Sequence, residues 1–392
     1  MYPHQRERLT AALAAHRAAA LVGTTPANVA YVTGFRPAAD ARAQEACTLA
    51  VVAPGGTALV LPASDTPALA ESDAAVDHVV PYGRAVFAYA SEPGDIGRRV
   101  REWTKRGAPA EPGAALVTAL DALGVRNGTV ALDDGGLSPA SARAIVASLG
   151  RRTVHDGTAA LLEARQVKGP WEIEALERAL GIAEEALNAV VQVLKPGSTE
   201  REAAELFESE VRRREATPRA PLIAFGRRTA VPSPPPSTRA LRRGDLVRLD
   251  VGCVWEGYRV DVSRVAVAGT PDARQEEVFD AVSRGLDAAI AAARPGVAAG
   301  DVYAAVIAAV SATGLPAYDV DLVGHGTGLD PRETPALAAD SRTALEAGMV
   351  LRLAVPYHEH GWGGVELRDT VLVGRTGPRV MNRTNRGLLV LD

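Results

Sequence analysis

The sequence predicts an α+β chain in two parts, a smaller N-terminal α/β domain over residues 1–160 and a larger α+β domain over residues 161–392. Three observations predict it. At 392 residues the chain is long enough for two hydrophobic cores. In the first part short apolar runs alternate with helical patterns, the rhythm of strands separated by helices. In the second, long helices come in pairs and alternate with period-two hairpins, the rhythm of helices laid on one side of a curved antiparallel sheet.

The N-terminal elements follow in order. A helical pattern over residues 5–19 leads to a short strand at 20–23, a turn with a bulky stretch at 28–35, and strands at 48–52 and 58–61. Apolar runs at 76–80, 114–123 and 129–132 and a helix at 139–149 complete what reads as a small, largely parallel sheet covered by helices. The second part opens on a long helix over 171–194. There Ile173, Leu176, Leu180, Ala183, Leu187, Val190 and Leu194 recur at three- and four-residue steps and make one buried face. Pro196 and Gly197 end it, and Thr199 with Glu202 forms a capping box for the next helix. Residues 246–253 and 258–267 read as strands joined at Glu256 and Gly257, followed by helices at 272–292 and 301–312. Strands at 350–355 and 365–373 flank a Gly-rich turn, and residues 232–236 form a Pro-rich surface loop.

Composition excludes several classes of function. Hydrophobic residues make up 47% of the chain and the formal charge is −4, with no basic block or aromatic–arginine stripe, so nucleic acid is not an expected partner. Arg6, Glu7, Arg8, His16 and Arg17 interrupt the alanine-rich start, which fits neither a signal peptide nor a membrane span. The cysteines are Cys47 and Cys253, too few and too distant for a disulfide framework, and a cytoplasmic location is expected. Lysine occurs at Lys105, Lys168 and Lys195, which leaves few candidates for lysine chemistry.

Candidate site residues concentrate in the second part. Asp250 and Asp261 lie eleven residues apart on two strands joined by a tight turn, so an antiparallel hairpin sets them side by side on one face. Leu249 and Val251 point the other way, and a carboxylate within so apolar a run is costly unless its charge is compensated. The bland alternative is an edge strand. His325 stands in Gly-His-Gly-Thr-Gly, where the flanking glycines allow close backbone approach; alone, such a histidine is structural. Arg368 shares strand parity with Glu366 and Thr370, and Arg352 shares it with Ala354. If both arginines face the aspartates they are counter-charges; otherwise they are exposed sheet arginines.

Taken together these motifs resemble the creatinase, aminopeptidase P and prolidase superfamily, over nearly the whole chain. Residues 25–35 (Thr-Pro-Ala-Asn-Val-Ala-Tyr-Val-Thr-Gly-Phe), 165–172 (Arg-Gln-Val-Lys-Gly-Pro-Trp-Glu) and 196–200 (Pro-Gly-Ser-Thr-Glu) carry the resemblance, and the segments 244–252, 257–264, 324–329, 348–350 and 363–373 recur in family order. The resemblance implies a C-terminal pita-bread domain behind a creatinase-type N-terminal domain, and a homodimer. It also implies that metallopeptidase-type members bind two divalent metals through two aspartates, a histidine and two glutamates. Asp250, Asp261 and His325 match the first three positions, whereas Ala354 and Arg368 stand at the glutamate positions. Ser233 and Arg332 stand where two auxiliary histidines are implied, and Glu333 follows Arg332.

A dinuclear site needs anionic ligands to offset about four positive charges. Alanine supplies none, and a guanidinium repels a cation at short range. The expectation is therefore a metal-independent site with no cofactor, its metal positions vestigial. His325 is the expected acid–base group, with Asp250 or Asp261 as orienting partner or second acid–base group. Arg368, Arg352, Arg332, Glu333, Ser233, Tyr357 and His358 are the expected contacts for a small polar or carboxylate-bearing substrate. The expected chemistry is C–N bond hydrolysis or a related rearrangement or cyclisation. Two alternatives stand beside it. One is an inactive pseudo-peptidase that binds or scaffolds; the other is an Xaa-Pro peptidase with an atypical metal site helped by Glu359 or Glu366.

Overall fold

The structure is a computed structural model that describes residues 2–36, 47–104, 108–315 and 318–392; Lys105 lies outside the described residues. The chain separates into two compact units, residues 1–165 and 166–392.

In the first unit the elements run α1 (Pro3–Ala15), β1 (Ala20–Gly23), α2 (Pro26–Thr33), β2 (Leu49–Ala53), β3 (Gly56–Pro62), α3 (Thr66–Glu71), β4 (His78–Tyr82), α4 (Gly94–Trp103), α5 (Pro112–Ala122), β5 (Thr129–Leu132), α6 (Pro139–Ser148) and β6 (Thr153–Asp156), ending on α7 (Thr158–Gln166). The sheet order is β4-β3-β2-β1-β5-β6. The sheet is mixed rather than largely parallel: β3–β4, β1–β5 and β5–β6 are parallel, while β1–β2 and β2–β3 are antiparallel. Pro54 and Gly55 join β2 to β3, too short a connection for a parallel crossover. The stretch at 28–35 is not a turn but most of α2; Thr25 caps it by accepting from Asn28 N, and Pro26 presets its first turn.

The second unit opens on α8 (Pro170–Val193) and α9 (Glu200–Arg213), the latter started by the Thr199–Glu202 capping box. Next come β7 (Thr217–Pro218), β8 (Leu222–Phe225), β9 (Leu246–Trp255), β10 (Tyr258–Ala268), α10 (Ala273–Ala292), α11 (Ala299–Ser311), β11 (Gly324–Gly326), β12 (Glu333–Ala336), β13 (Val350–Glu359), β14 (Gly363–Gly374), β15 (Gly377–Val380) and β16 (Leu389–Leu391). The main sheet runs β12-β11-β13-β14-β10-β9-β7, with β8 also on β9, β15 on β14 and β16 on β10.

Period-two alternation sorts the two faces of this sheet. Leu351, Leu353 and Val355 of β13 and Val365, Leu367 and Val371 of β14 pack with Val282, Leu286 and Ala289 of α10 and Val302, Val306 and Val310 of α11. Fully burying each such side chain contributes about 1.5–3 kcal/mol. The alternate residues of the same strands, denied that core, form the opposite and polar face.

Candidate functional site in the C-terminal domain

The β9–β10 hairpin sets the first pair of carboxylates. Its turn residues Glu256 and Gly257 both take positive φ, 49° and 78°, the geometry of a tight two-residue connection. That turn fixes the register: Asp250 pairs with Ser263 and Asp261 with Gly252, which sets the two aspartates diagonally on one face. Across β14, Ser263 pairs with Arg368, which in turn pairs with Ala354 of β13; Arg352 pairs with His325 of β11. Glycine is required at the last step, because a Cβ on Gly324 would lie 2.3 Å from the Arg352 carbonyl oxygen and one on Gly326 2.3 Å from that of Thr334.

The side chains on this face form a continuous ion-pair lattice. Arg368 Nη1 lies 2.5 Å from Asp250 Oδ1, and its Nε and Nη2 lie 2.7 and 2.6 Å from Glu366 Oε1. Arg219, from the loop after β7, donates from Nη2 to the same Asp250 oxygen at 2.7 Å. Arg352 pairs through Nε with Asp261 and donates from Nη1 to His325 Nε2 at 2.7 Å. His325 Nδ1 donates to the Gly326 carbonyl oxygen at 2.7 Å, so the ring is a neutral tautomer whose lone pair Arg352 takes up. Burial, then the adjacent Arg352 charge, lowers its pKa to about 4. Arg352 thus stands between His325 and Asp261, where a direct histidine–carboxylate partnership was expected.

Electrostatics divides the aspartates. Burial pushes Asp250 above the usual carboxylate range despite its two guanidiniums. Burial acts on Asp261 in the same sense, but Arg352, Arg368 and Arg219 together outweigh it and hold this carboxyl below its usual range. Asp250 Oδ2 and Glu366 Oε2 are buried acceptors with no hydrogen-bond partner among the described residues.

Of the other expected contacts, His358 reaches the lattice and Tyr357 does not. His358 Nε2 accepts from Arg248 Nη1 at 2.6 Å and lies 4.0 Å from Glu366 Oε2. Burial, then Arg248, lowers its pKa to about 4. Tyr357 falls on the opposite parity and packs on the helix-side core, its hydroxyl donating to Glu359 Oε2 at 2.9 Å. Glu359 in turn holds Arg274 at 2.6 Å, away from the aspartates. Glu333 is buried beside Lys168 at 2.8 Å and accepts from Leu329 N, so it braces the loop after His325. Arg332 is exposed, and its charge adds to the lowering of His325. Ser233 is exposed and makes no hydrogen bond among the described residues. Glu366 joins the site, since it shares a face with Arg368.

Two arginines escaped the sequence reading. Arg248 sits two positions before Asp250 and shares its face; besides His358 it holds the Thr229, Val231 and Pro232 carbonyls. Its parity was a readable signal. Arg219 had none, because its contact is made across 31 residues by a loop.

A two-metal centre does not fit these residues. Ala354 offers no ligand atom, Arg368 places a cation at the second glutamate position, and guanidiniums already engage Asp250, Asp261 and His325. Among the described residues no group of three or more His, Cys, Asp or Glu side chains is arranged to hold a metal ion.

Comparison with known proteins gives the kinship. The profile of metallopeptidase family M24 matches residues 174–375, and that of the creatinase/prolidase N-terminal domain matches residues 5–167. The Xaa-Pro dipeptidase of Pyrococcus furiosus is 33% identical over 227 residues, 57% of this chain and 65% of that protein. The one from Pyrococcus horikoshii is 31% identical over the same shares. The chain thus matches about 65% of the length of these curated relatives. In fold it is similar to an Xaa-Pro dipeptidase from Bacillus anthracis, with a TM-score of 0.82 at 21% identity over 99% of both chains. It is also similar to the prolidase from Pyrococcus furiosus, with a TM-score of 0.76 at 24% identity over 95% of this chain and 99% of that one. This chain belongs to metallopeptidase family M24, in the creatinase, aminopeptidase P and prolidase superfamily, as a divergent member with a degenerate metal site.

Proposed function

We propose that this chain is a metal-free member of the family, a pseudo-peptidase that binds a small polar ligand on the arginine-lined face of its C-terminal domain. Peptide hydrolysis through a dinuclear metal is not its activity. The observation that carries this reading is Arg368, a cation at the second glutamate position, engaged with Asp250 at 2.5 Å. Of the family's metal-ligand positions, two here lack a ligand side chain and the other three, Asp250, Asp261 and His325, are each engaged by a guanidinium.

A second reading, metal-independent C–N bond hydrolysis, rearrangement or cyclisation, is favoured by one specific observation. The two aspartates shift in opposite directions, Asp250 up and Asp261 down, the separation that gives one carboxyl a proton to donate and leaves its neighbour ionised. Against it stands the engaged lone pair of His325, which leaves no free imidazole base in the site.

The test is to assay the purified chain on Xaa-Pro dipeptides with and without manganese or cobalt, with elemental analysis of the same sample. The expected outcome is no turnover and less than one metal per chain. Metal-dependent hydrolysis overturns the proposal. Metal-independent turnover of any C–N substrate, lost on Asp250→Asn, moves the assignment to the second reading.

A further inference from the structure

Resting on that reading, we infer that the ligand is a small oxyanion, held between Arg219 and Arg352 beside Asp261. Four guanidiniums serve this face, but their donors are not equally engaged. Arg368 uses Nε, Nη1 and Nη2 on Asp250 and Glu366. Arg248 uses both terminal nitrogens on three carbonyls and His358. Arg352 uses Nε and Nη1, which leaves Nη2 without an acceptor among the described residues. Arg219 uses Nη2 alone; neither its Nη1 nor its buried Nε has an acceptor among the described residues.

The two with open ends are also the most accessible, with side chains 32% exposed at Arg219 and 14% at Arg352, against 11% at Arg368. One carboxylate holds them together: Arg352 pairs with Asp261 Oδ1, and Arg219 Nη2 lies 3.9 Å from Asp261 Oδ2. Two guanidiniums with vacant donors therefore meet at one carboxylate, a pairing that suits an acceptor with two or more oxygens.

Charge favours an anion there. Four guanidiniums, of Arg219, Arg248, Arg352 and Arg368, face three carboxylates, of Asp250, Asp261 and Glu366. Exposed Arg332 adds to the same field. A ligand amine entering here meets net positive charge. Carboxylates and phosphates share the oxyanion chemistry, and the experiment separates them.

The full chain is titrated by calorimetry at constant ionic strength with malonate, with inorganic phosphate and, as a cationic control, with ethylamine. Elemental analysis accompanies each sample. Binding of malonate or phosphate is expected, and which one binds names the source. Arg219→Gln should weaken it roughly tenfold or more, the effect of losing one charge-assisted hydrogen bond. Arg352→Gln should do likewise; should that variant fail to fold, Arg219→Gln decides, because Arg368 still holds Asp250 in it. No oxyanion binding, unchanged affinity in Arg219→Gln, or binding of ethylamine instead overturns the inference. If this happens in metal-free protein, the metal-free reading stands and only the ligand class falls; metal in the sample fails the underlying reading itself.

Discussion

Arg368 touches Asp250 and Glu366 together, so removing it strands buried Glu366 and leaves buried Asp250 to Arg219 alone. Breaking a buried pair by deleting one partner typically costs about 3–5 kcal/mol. Arg368→Ala should lose stability on that scale, and Asp250→Asn in the same chain should recover part of it. Denaturant midpoints that do not move, or that move additively, would detach Arg368 from the pair. Arg352 gives a pH test. Its partner Asp261 is held below the usual carboxylate range, so that pair's contribution is complete above the pH near 4 where an unfolded aspartate titrates, and fades as pH falls through the lower folded value. Arg352→Gln should therefore cost more at pH 7 than at pH 3, and equal losses would break the assignment. The same substitution frees the His325 lone pair, and its pKa should climb from about 4, as proton NMR would follow. Which residues meet was partly legible beforehand. Strand parity brings Asp250, Asp261, Arg352 and Arg368 to one face, and the same rule places Arg248 there and removes Tyr357. Arg219 was not legible, since a loop delivers it and no period governs a loop.

Among the elements, the β9–β10 turn carries the most positional information. With φ of 49° at Glu256 and 78° at Gly257, the connection leaves no slack, and a slip of one residue would turn Asp250 and Asp261 to the apolar face. Gly257→Val should cost about 1–2 kcal/mol for forcing a β-branched residue into the left-handed region. Unchanged midpoints on urea titration would show that the turn has another solution. Long elements were legible because their periods persist: seven apolar positions mark α8 and its C-cap, and the capping box before α9 marks its start. Helix α2 was missed because eight residues span barely two turns, and Val29, Tyr31, Val32 and Thr33 are branched or aromatic types that read as strand. The Thr25–Pro26 pair was the better signal. The N-terminal sheet was misjudged for a related reason: strand rhythm locates β2 and β3, but only the length of the link between them decides their direction.

For the whole molecule, kinship predicts a homodimer, and light scattering at low concentration should give about twice the 40.8 kDa chain mass; a stable monomer would sink that expectation. The larger question is whether the folded chain has any use for metal. A ligand that binds only the native state raises its stability, by about 2.7 kcal/mol at a hundred times its dissociation constant. A chain whose site guanidiniums have closed should show no such linkage, so neither chelator nor added manganese, cobalt or zinc should move the melting temperature. Restoring the linkage requires more than replacing the lost glutamates. Ala354→Glu with Arg368→Glu returns two carboxylates, yet Arg352 still engages Asp261 and the lone pair of His325. The double substitution alone should therefore stay blind to metal. Adding Arg352→Ala frees Asp261 and His325, and the triple variant should gain a metal-dependent rise in melting temperature that chelator reverses. Metal response in the double variant would show that Arg352 is not the gate. A raised melting temperature in the native chain with divalent metal, together with two ordered ions roughly 4 Å apart at Asp250, Asp261 and His325 in anomalous maps, would overturn the metal-free assignment altogether.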